Sequence, residues 1–411
     1  MGGFLSDLLV VGAGPGGARA AELLAERGLR VALLDPRAPW EKPCGGGLTA
    51  AALRHTPELR ELSSESVTIR ELQVVASNGS SLIVPLRRPY EVVSRLELSR
   101  WGLDRALAAG VRFHPVAARA IRRAAGFWFV TDSAGRLHRA RWLIGADGAT
   151  SPIRSRLAPG LRPELAPTRV AYATGRPKDG RAAFFFLRRA EGYLWDFPRN
   201  GHRSVGIGVA PRSFSRRDLD EAIEHYRLAE VGEAPSLDVR GAVIATSDWR
   251  SGHFEDLGGL DYALVGDAAG LADPATGEGI DYALRSAALA ADTFGEDDGF
   301  DAYPAAAQEA FAEEFRRSLT VRHWLYHPRL ADGLVSRAYG SDRLSMLLAA
   351  LVDAVNEHGP LREAIGRSLG PKPGWLHAPA VCDCDSGRAS PIALSRREAR
   401  REPRRALAGR S

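Results

Sequence analysis

Cys44 is followed by three glycines, Gly45, Gly46 and Gly47. A thiol can hold or deliver a proton and titrates near about 8.5 when unperturbed. Consecutive glycines cost backbone entropy on ordering, so a loop built of them implies that something must come close to the main chain. The plain alternative for Cys44 is a small apolar filler. A second group of residues asks for a phosphate. Gly12, Gly14 and Gly17 stand in the spacing G-x-G-x-x-G. Gly12 permits a tight turn, Gly14 lets a pyrophosphate approach the backbone, and Gly17 lets a helix pack on a sheet. Asp35 lies 21 residues after Gly14, where an acid holds a ribose hydroxyl. A third group asks for an apolar ligand. Tyr193, Trp195 and Phe197 alternate with Leu194 and Asp196, so in a strand the three rings share one face. That face could equally be an aromatic core.

These residues need elements to hold them. Residues 7–12 read as a buried strand, 15–27 as a helix and 30–34 as a second strand ending at Asp35, a βαβ opening. Pro15 suits the first helical turn, and the helix N-terminus offers free N–H groups to phosphate. Residues 72–86 read as a hairpin turning at Asn78-Gly79. Helices are expected at 97–109, 279–294, 305–326, 343–356 and 360–368, a strand at 141–145, and at 262–270 a strand ending in a glycine turn. From about 165 to 250 the chain changes to short strands with aromatic alternation, and Phe184 to Phe186 fall on a strand preceding the Tyr193 strand.

Composition excludes several classes. The chain has 411 residues and a formal charge of +5, but its last seventeen residues carry seven Arg and two Glu and account for all of that excess. The basic residues are 52 Arg and three Lys, and no recognition helix or aromatic-basic stripe supports nucleic-acid binding. Three cysteines, at 44, 382 and 384, make no disulfide framework, and Cys382 and Cys384 lack a partner pair or His for a metal site, so no metal is expected. No apolar run is long enough to cross a membrane, and the N-terminus lacks a signal-peptide pattern. A cytoplasmic location is expected, with contact at the inner membrane face as an option.

The fingerprint alone does not choose between FAD and NAD. Two further motifs do. "GADGATSPIRSRL" (145–157) and "LVGDAAGLADPATGEGIDYAL" (264–284) resemble the DG and GD motifs of single-component flavoprotein hydroxylases and their relatives. The resemblance implies FAD, with Asp147, Asp267, Gly277, Gly279 and Ile280 near it and Arg95, in "VSRLELSRW", close to the flavin. "PCGGGL" (43–48) with "GYLWDFPRN" (192–200) narrows this, because together they resemble the geranylgeranyl reductase family of FAD enzymes. That family's substrate motif is Tyr-x-Trp-x-Phe-Pro followed by Lys; Tyr193, Trp195, Phe197 and Pro198 match, and Arg199 stands in place of the Lys. The resemblance spans about residues 6 to 365.

The expectation is therefore an α/β chain: a Rossmann-like FAD-binding domain (1–71, 90–164 and 251–295), an inserted, mainly antiparallel β substrate domain (72–89 and 165–250), a C-terminal helical region (296–370) and an Arg-rich tail (371–411). The resemblance implies a reductase of carbon–carbon double bonds in a prenyl lipid or other hydrophobic molecule, with NAD(P)H or a reduced carrier as donor. Cys44, Gly45 and Gly46 would lie against the flavin, the glycines because a Cβ would collide with it. Cys44 and Tyr193 are the candidate catalytic groups, and Tyr193, Trp195, Phe197 and Pro198 the candidate substrate wall. The segment 342–355 could close a tunnel, touch a membrane surface, or simply pack on the core. A flavin monooxygenase is the alternative, and a non-catalytic prenyl-binding protein a third reading.

Overall fold

The computed structural model of the chain describes residues 4–175, 180–188, 190–210, 214–231, 238–247, 253–338 and 341–359. The expected helix at 360–368, the tail and Cys382 and Cys384 lie outside them. The fold is α/β, and its centre is a parallel sheet in the order Tyr262–Leu264, Trp142–Gly145, Leu8–Val11, Val31–Leu34, Arg112–His114, with Gly258–Gly259 antiparallel at one edge. Leu8–Val11, Val31–Leu34 and Trp142–Gly145 are buried along their whole length, which explains why they read as continuous apolar runs. The chain leaves Leu8–Val11 through α1 (Pro15–Glu26) toward Val31–Leu34, and Trp142–Gly145 pairs on the opposite side. This is the switch point at which doubly wound sheets open a crevice beyond the carboxyl ends of their strands.

A second sheet of eight strands carries the aromatic residues. Its order is Arg240–Thr246, Glu164–Thr174, His202–Val209, Gly192–Pro198, Ala182–Phe186, Ser66–Val75, Ser81–Val93, Gly47–Leu48. Every pairing is antiparallel except Ala182–Phe186 with Ser66–Val75. The hairpin at Asn78-Gly79 forms, and Asn78 Oδ1 accepts from Ser80 N at 2.9 Å across the turn. It is longer than the expected 72–86, because pairing continues to Ser66↔Val93 past an irregularity between Ile69 and Glu71.

The glycine loop joins this sheet. Gly47 and Leu48 pair with Val92 and Glu91, after which Thr49 caps α2 (Ala50–His55), its hydroxyl accepting from Ala52 N at 3.1 Å. Residues 95–108 form α3 (Arg95–Ala108), close to the expected 97–109, and α4 (Pro152–Leu157) follows the 142–145 strand. One face of the large sheet is covered by α5 (Arg216–Tyr226), whose Leu219, Ile223 and Tyr226 pack on Leu194, Val205 and Ile207. Two elements carried no clear signal in the pattern: a small sheet of Phe4–Leu5, Leu137–Ala140, Phe127–Asp132 and Ala118–Ala124, and the helix at 328–338.

Four helices complete the described residues: α6 (Ile280–Asp292), α7 (Tyr303–Leu325), α8 (Pro328–Ala338) and α9 (Asp342–Glu357). Among the described residues, none is long and apolar enough to cross a membrane. Met346, Leu348 and Ala349 of α9, with Val335 of α8, pack on Val74, Leu82 and Val84 of the large sheet. Asn356 at the C-terminal end of α9 accepts from Ala50 N at 2.9 Å and donates to the Arg88 carbonyl at 3.0 Å. The segment 342–355 therefore packs within the molecule rather than lying on an outer surface.

Candidate active site

A cavity of about 1230 Å³ runs from the carboxyl ends of the central strands, across the aromatic face of the large sheet, to helices α7, α8 and α9. Gly12, Gly14, Gly17, Asp35, Cys44, Gly45, Gly46, Arg95, Asp147, Asp267, Gly277, Gly279 and Ile280 all line it. These residues come from segments up to 268 positions apart, and the fold brings every one of them to a single cavity. Tyr193, Trp195 and Phe197 line it too. Pro198 does not; it is buried one position further along the strand, where the alternation turns a side chain to the other face. The expectation that Pro198 touches substrate is corrected on that ground.

The dinucleotide end has the features a pyrophosphate requires. Gly12 adopts φ +102°, a conformation L side chains rarely take. A Cβ on Gly14 would meet nothing within 4 Å, so this backbone borders open space. Asp35 is held rigidly: Oδ2 accepts from Ala13 N at 2.9 Å, and Oδ1 from Arg37 N at 2.7 Å and Ala38 N at 3.1 Å. Oδ2, with one bond made, keeps a lone pair for a ribose hydroxyl. Helix α1 starts without a side-chain cap or an acid in its first turn, leaving N–H groups free for anionic atoms; at the start of α6, after Gly279, the Asp281 N–H is taken by Glu278 Oε1. Arg95 Nε and Ser99 Oγ are buried on this wall with no hydrogen-bond partner. Buried polar atoms are normally paired, so these two mark a missing polar ligand. FAD fits this donor set and this space.

Asp147 and Asp267 are both engaged. Asp147 accepts from Ser151 Oγ and from Ile153 N at 3.2 Å; burial nevertheless raises its pKa above the ordinary carboxylate value. Asp267 Oδ2 accepts from Lys42 Nζ at 2.9 Å. Lys42 is one of three lysines in the chain and lines the cavity two residues before Cys44, a site residue that pattern reasoning passed over.

The glycine loop has a different reason from the one expected. A Cβ on Gly45 would stand 2.8 Å from Phe197 Cε2, and Cβ atoms at Gly46 and Gly47 would overlap the Val93 carbonyl and the Tyr90 hydroxyl. The protein's own residues already exclude side chains here. The loop is also tied from outside. Arg199, whose side chain is 1% exposed, donates from Nη2 to the carbonyls of Cys44 (2.6 Å) and Gly45 (3.2 Å) and from Nη1 to Glu41 Oε1 (2.6 Å). Glu41 in turn accepts from Ser94 Oγ (2.6 Å), Leu96 N (2.8 Å) and Tyr172 Oη (3.0 Å). Burial opposes its ionisation, but Arg199, Ser94 and the Leu96 amide outweigh that and lower its pKa to about 2. The position where the family motif carries Lys is thus the anchor of the loop.

Cys44 sits at the junction of both halves. Burial pushes its thiol up, but the Arg95 charge and the Gly46 N–H, 3.4 Å from Sγ, outweigh it and favour the thiolate. That direction leaves less of the Cys44 thiol protonated at a given pH than an ordinary thiol would be. Tyr193 is raised well above the ordinary phenol value by burial and by the neighbouring Cys44, Asp273 and Glu278, and its Oη donates to the Thr276 carbonyl. Glu278, on the same wall, is raised to about 7, first by burial and then by the adjacent Asp281. Asp281 itself goes the other way: although burial raises it, His358 and His55 hold it ionised. His55, Asp281 and His358 cluster closely enough to hold a metal ion, yet Arg285 lies 3.5 Å from the Asp281 carboxylate, and the geometry is that of an ion-pair network.

The far end is apolar. Trp195 and Phe197, with Phe184 beside them, line it together with helix residues Leu347, Leu348, Leu351 and Val355. Trp324 and Leu330, 61% and 44% exposed, stand at its outer end where α7 passes into α8.

Comparison with known proteins agrees with this geometry. The NAD(P)-binding Rossmann-like domain pattern matches residues 10–39. The chain is 30% identical over 340 residues to Digeranylgeranylglycerophospholipid reductase 2 of Methanopyrus kandleri, covering 76% of this chain and 83% of that one. It is 30% identical over 351 residues to the Menaquinone reductase of Mycobacterium tuberculosis, covering 79% and 85%. Among solved structures, a geranylgeranyl bacteriochlorophyll reductase-like protein of Thermoplasma acidophilum shares the fold, with a TM-score of 0.63 at 21% identity over 90% of this chain and 96% of that one.

Proposed function

The chain belongs to the geranylgeranyl reductase family of FAD-dependent oxidoreductases, and from that premise we propose that it saturates carbon–carbon double bonds of an isoprenoid chain held in the apolar end of the cavity. The observation that carries this reading is the continuity of one cavity: dinucleotide fingerprint at one end, aromatic wall in the middle, apolar helices at the other end. An isoprenoid chain forfeits about 0.8 kcal/mol per CH₂ equivalent when it leaves a bilayer, so it needs an apolar sleeve of this kind.

Bound FAD supplies the hydride chemistry, and NAD(P)H or a small reduced carrier would recharge it. The work of the protein is positional. Gly14, Asp35 and the start of α1 would hold the dinucleotide, and the start of α6 would favour negative charge at the flavin by about 0.3–1 kcal/mol. Phe184, Tyr193, Trp195 and Phe197 would hold an alkene flat and exclude water. Arg199 and Glu41 keep the loop carrying Cys44 in place. The outer end at Trp324 and Leu330 would admit the chain from a membrane surface, an apolar pair suited to the lipid interface.

The test is anaerobic incubation of the FAD-loaded protein with a chemical reductant and an isoprenoid lipid, read by mass spectrometry. A product series heavier by about two daltons per step supports the proposal. An unchanged lipid, or an oxygen-dependent hydroxylated product in air, refutes it; the latter result would make the protein a monooxygenase.

A further inference from the structure

Reducing an unactivated alkene needs a proton as well as a hydride. With no adjacent carbonyl to hold developing charge, the proton must be delivered at the second carbon by a placed acid. We propose that Glu278 is that acid. This inference rests on the reductase reading above.

The backbone around Glu278 is tightly fixed. Its N–H donates to Thr276 Oγ1 at 3.2 Å, its carbonyl accepts from Asp273 N at 2.7 Å, and Thr276 N and Oγ1 bond Asp273 Oδ1 at 2.7 and 2.9 Å. Its carboxyl is divided between two tasks. Oε1 accepts from Asp281 N at 2.8 Å, in the first turn of α6. Oε2 is buried with no hydrogen-bond partner. A carboxyl that accepts on one oxygen and is unpaired on the other has a place for a transferable proton. Glu278 lines the same cavity as the aromatic wall, and Tyr193 Oη bonds the Thr276 carbonyl two residues away. Glu278 and the rings that would hold an alkene therefore line one cavity.

The surroundings favour the protonated form. Glu278 is faced by Asp281 on α6, Asp273 in the preceding turn, Tyr193 and Tyr90 from the large sheet, and His358 beyond α9. Burial and the two acids raise its pKa and outweigh His358 and the Asp281 N–H, which oppose them; the His358 imidazole is committed to Asp281 at 3.2 Å. The rival donors are less suited. The Cys44 thiol is lowered by the Arg95 charge and so is protonated less fully than an ordinary thiol, and Tyr193, raised by burial, holds its proton too tightly.

The step balances simply. Hydride from the reduced cofactor forms a C–H bond at one alkene carbon, the π bond breaks, and the proton of Glu278 forms the second C–H bond. The carboxylate left behind is reprotonated from water.

The test uses the FAD-loaded protein and Glu278→Gln. Gln fills the same volume and keeps an oxygen for Asp281 N–H, so fold and flavin content are expected to be unchanged, but its amide has no proton to give. One readout is independent of turnover: the infrared stretch of a protonated carboxyl, followed over about pH 5 to 9, titrates near neutrality in the wild type and is missing in the variant. The other is single-turnover reoxidation of pre-reduced protein. With an isoprenoid alkene the variant slows by about 10²- to 10⁴-fold and loses the fall in rate above neutral pH; with ferricyanide, which takes electrons and leaves no proton on carbon, it matches the wild type. Glu278→Asp, which keeps a proton on a shorter arm, recovers part of the alkene rate. A variant that keeps the wild-type alkene rate and pH limb, or a wild type without the carboxyl band, overturns the assignment. Wild-type protein that shows the band but reduces no isoprenoid alkene overturns the reductase reading instead, and the acid role with it.

Discussion

The Glu41–Arg199 pair is where the two halves of the site are joined, and its contribution can be worked from the structure. Arg199 is almost fully buried and gives three hydrogen bonds, one to Glu41 and two to carbonyls of the Cys44 loop. Removing one partner of a buried ion pair costs about 3–5 kcal/mol, because the other charge stays buried. Glu41→Gln strands Arg199 in this way and is expected to destabilise by about that amount. Arg199→Met removes the cation and its hydrogen bonds but leaves Glu41 with Ser94, Leu96 and Tyr172, and is expected to cost about 3 kcal/mol. In the double variant no charge is stranded, so its cost falls short of the summed singles by about 2–3 kcal/mol.

A pH signature accompanies the cycle. The Glu41 pKa is depressed from 4.5 to about 2, so the pair stabilises fully above 4.5, and that contribution is lost as pH falls through about 2. The shift corresponds to about 3 kcal/mol at most, and to about 2 after allowing for a side chain 23% exposed. Urea melts of the four proteins at neutral pH and near pH 3 measure both quantities. Single costs that add to within about 0.5 kcal/mol, or a wild-type advantage over Glu41→Gln that does not shrink in acid, would refute the reasoning.

Three other substitutions separate packing from ligand contact. Gly14→Ala places a methyl in open space, so the melting temperature without FAD should hold while the FAD dissociation constant, by fluorescence titration, rises at least about tenfold. Gly45→Ala drives a methyl against Phe197 and should cost about 1–3 kcal/mol in a urea melt whether or not FAD is bound; a loss confined to the FAD-bound protein would return the glycine to the flavin. The His358 pKa is raised, because Asp281, Glu278 and Glu314 outweigh burial, so its pairing stabilises fully below the ordinary 6.5 and fades as pH rises through the raised value. His358→Phe should therefore lose more stability at pH 6 than at pH 9, compared by melting temperature at the two values.

Local order was legible in the sequence because it is contiguous. Gly12, Gly14, Gly17 and Asp35 belong to one strand–helix–strand unit, and the turn from Asp267 to Ile280 is one short segment. The alternation of Tyr193, Trp195 and Phe197 reports a sheet face directly, and the fold bears it out with Leu194 and Asp196 turned away. What only the tertiary structure decided depends on pairs far apart in the chain. Arg199 meets Glu41 across 158 positions and Lys42 meets Asp267 across 225, and no local period records such meetings. Helix α8 carried no clear signal, and the role of α9 as a cavity wall depends on which of its apolar faces meets the sheet, a matter of packing. Glu278 sits in the motif as an ordinary acid; its free oxygen and raised pKa arise from burial beside Asp281, which exists only once α6 docks. For the glycines after Cys44, composition showed that something must lie close, and the folded chain showed that it is Phe197, Val93 and Tyr90. Sequence specifies the parts that carry their own geometry; charge, burial and close approach belong to the assembled fold.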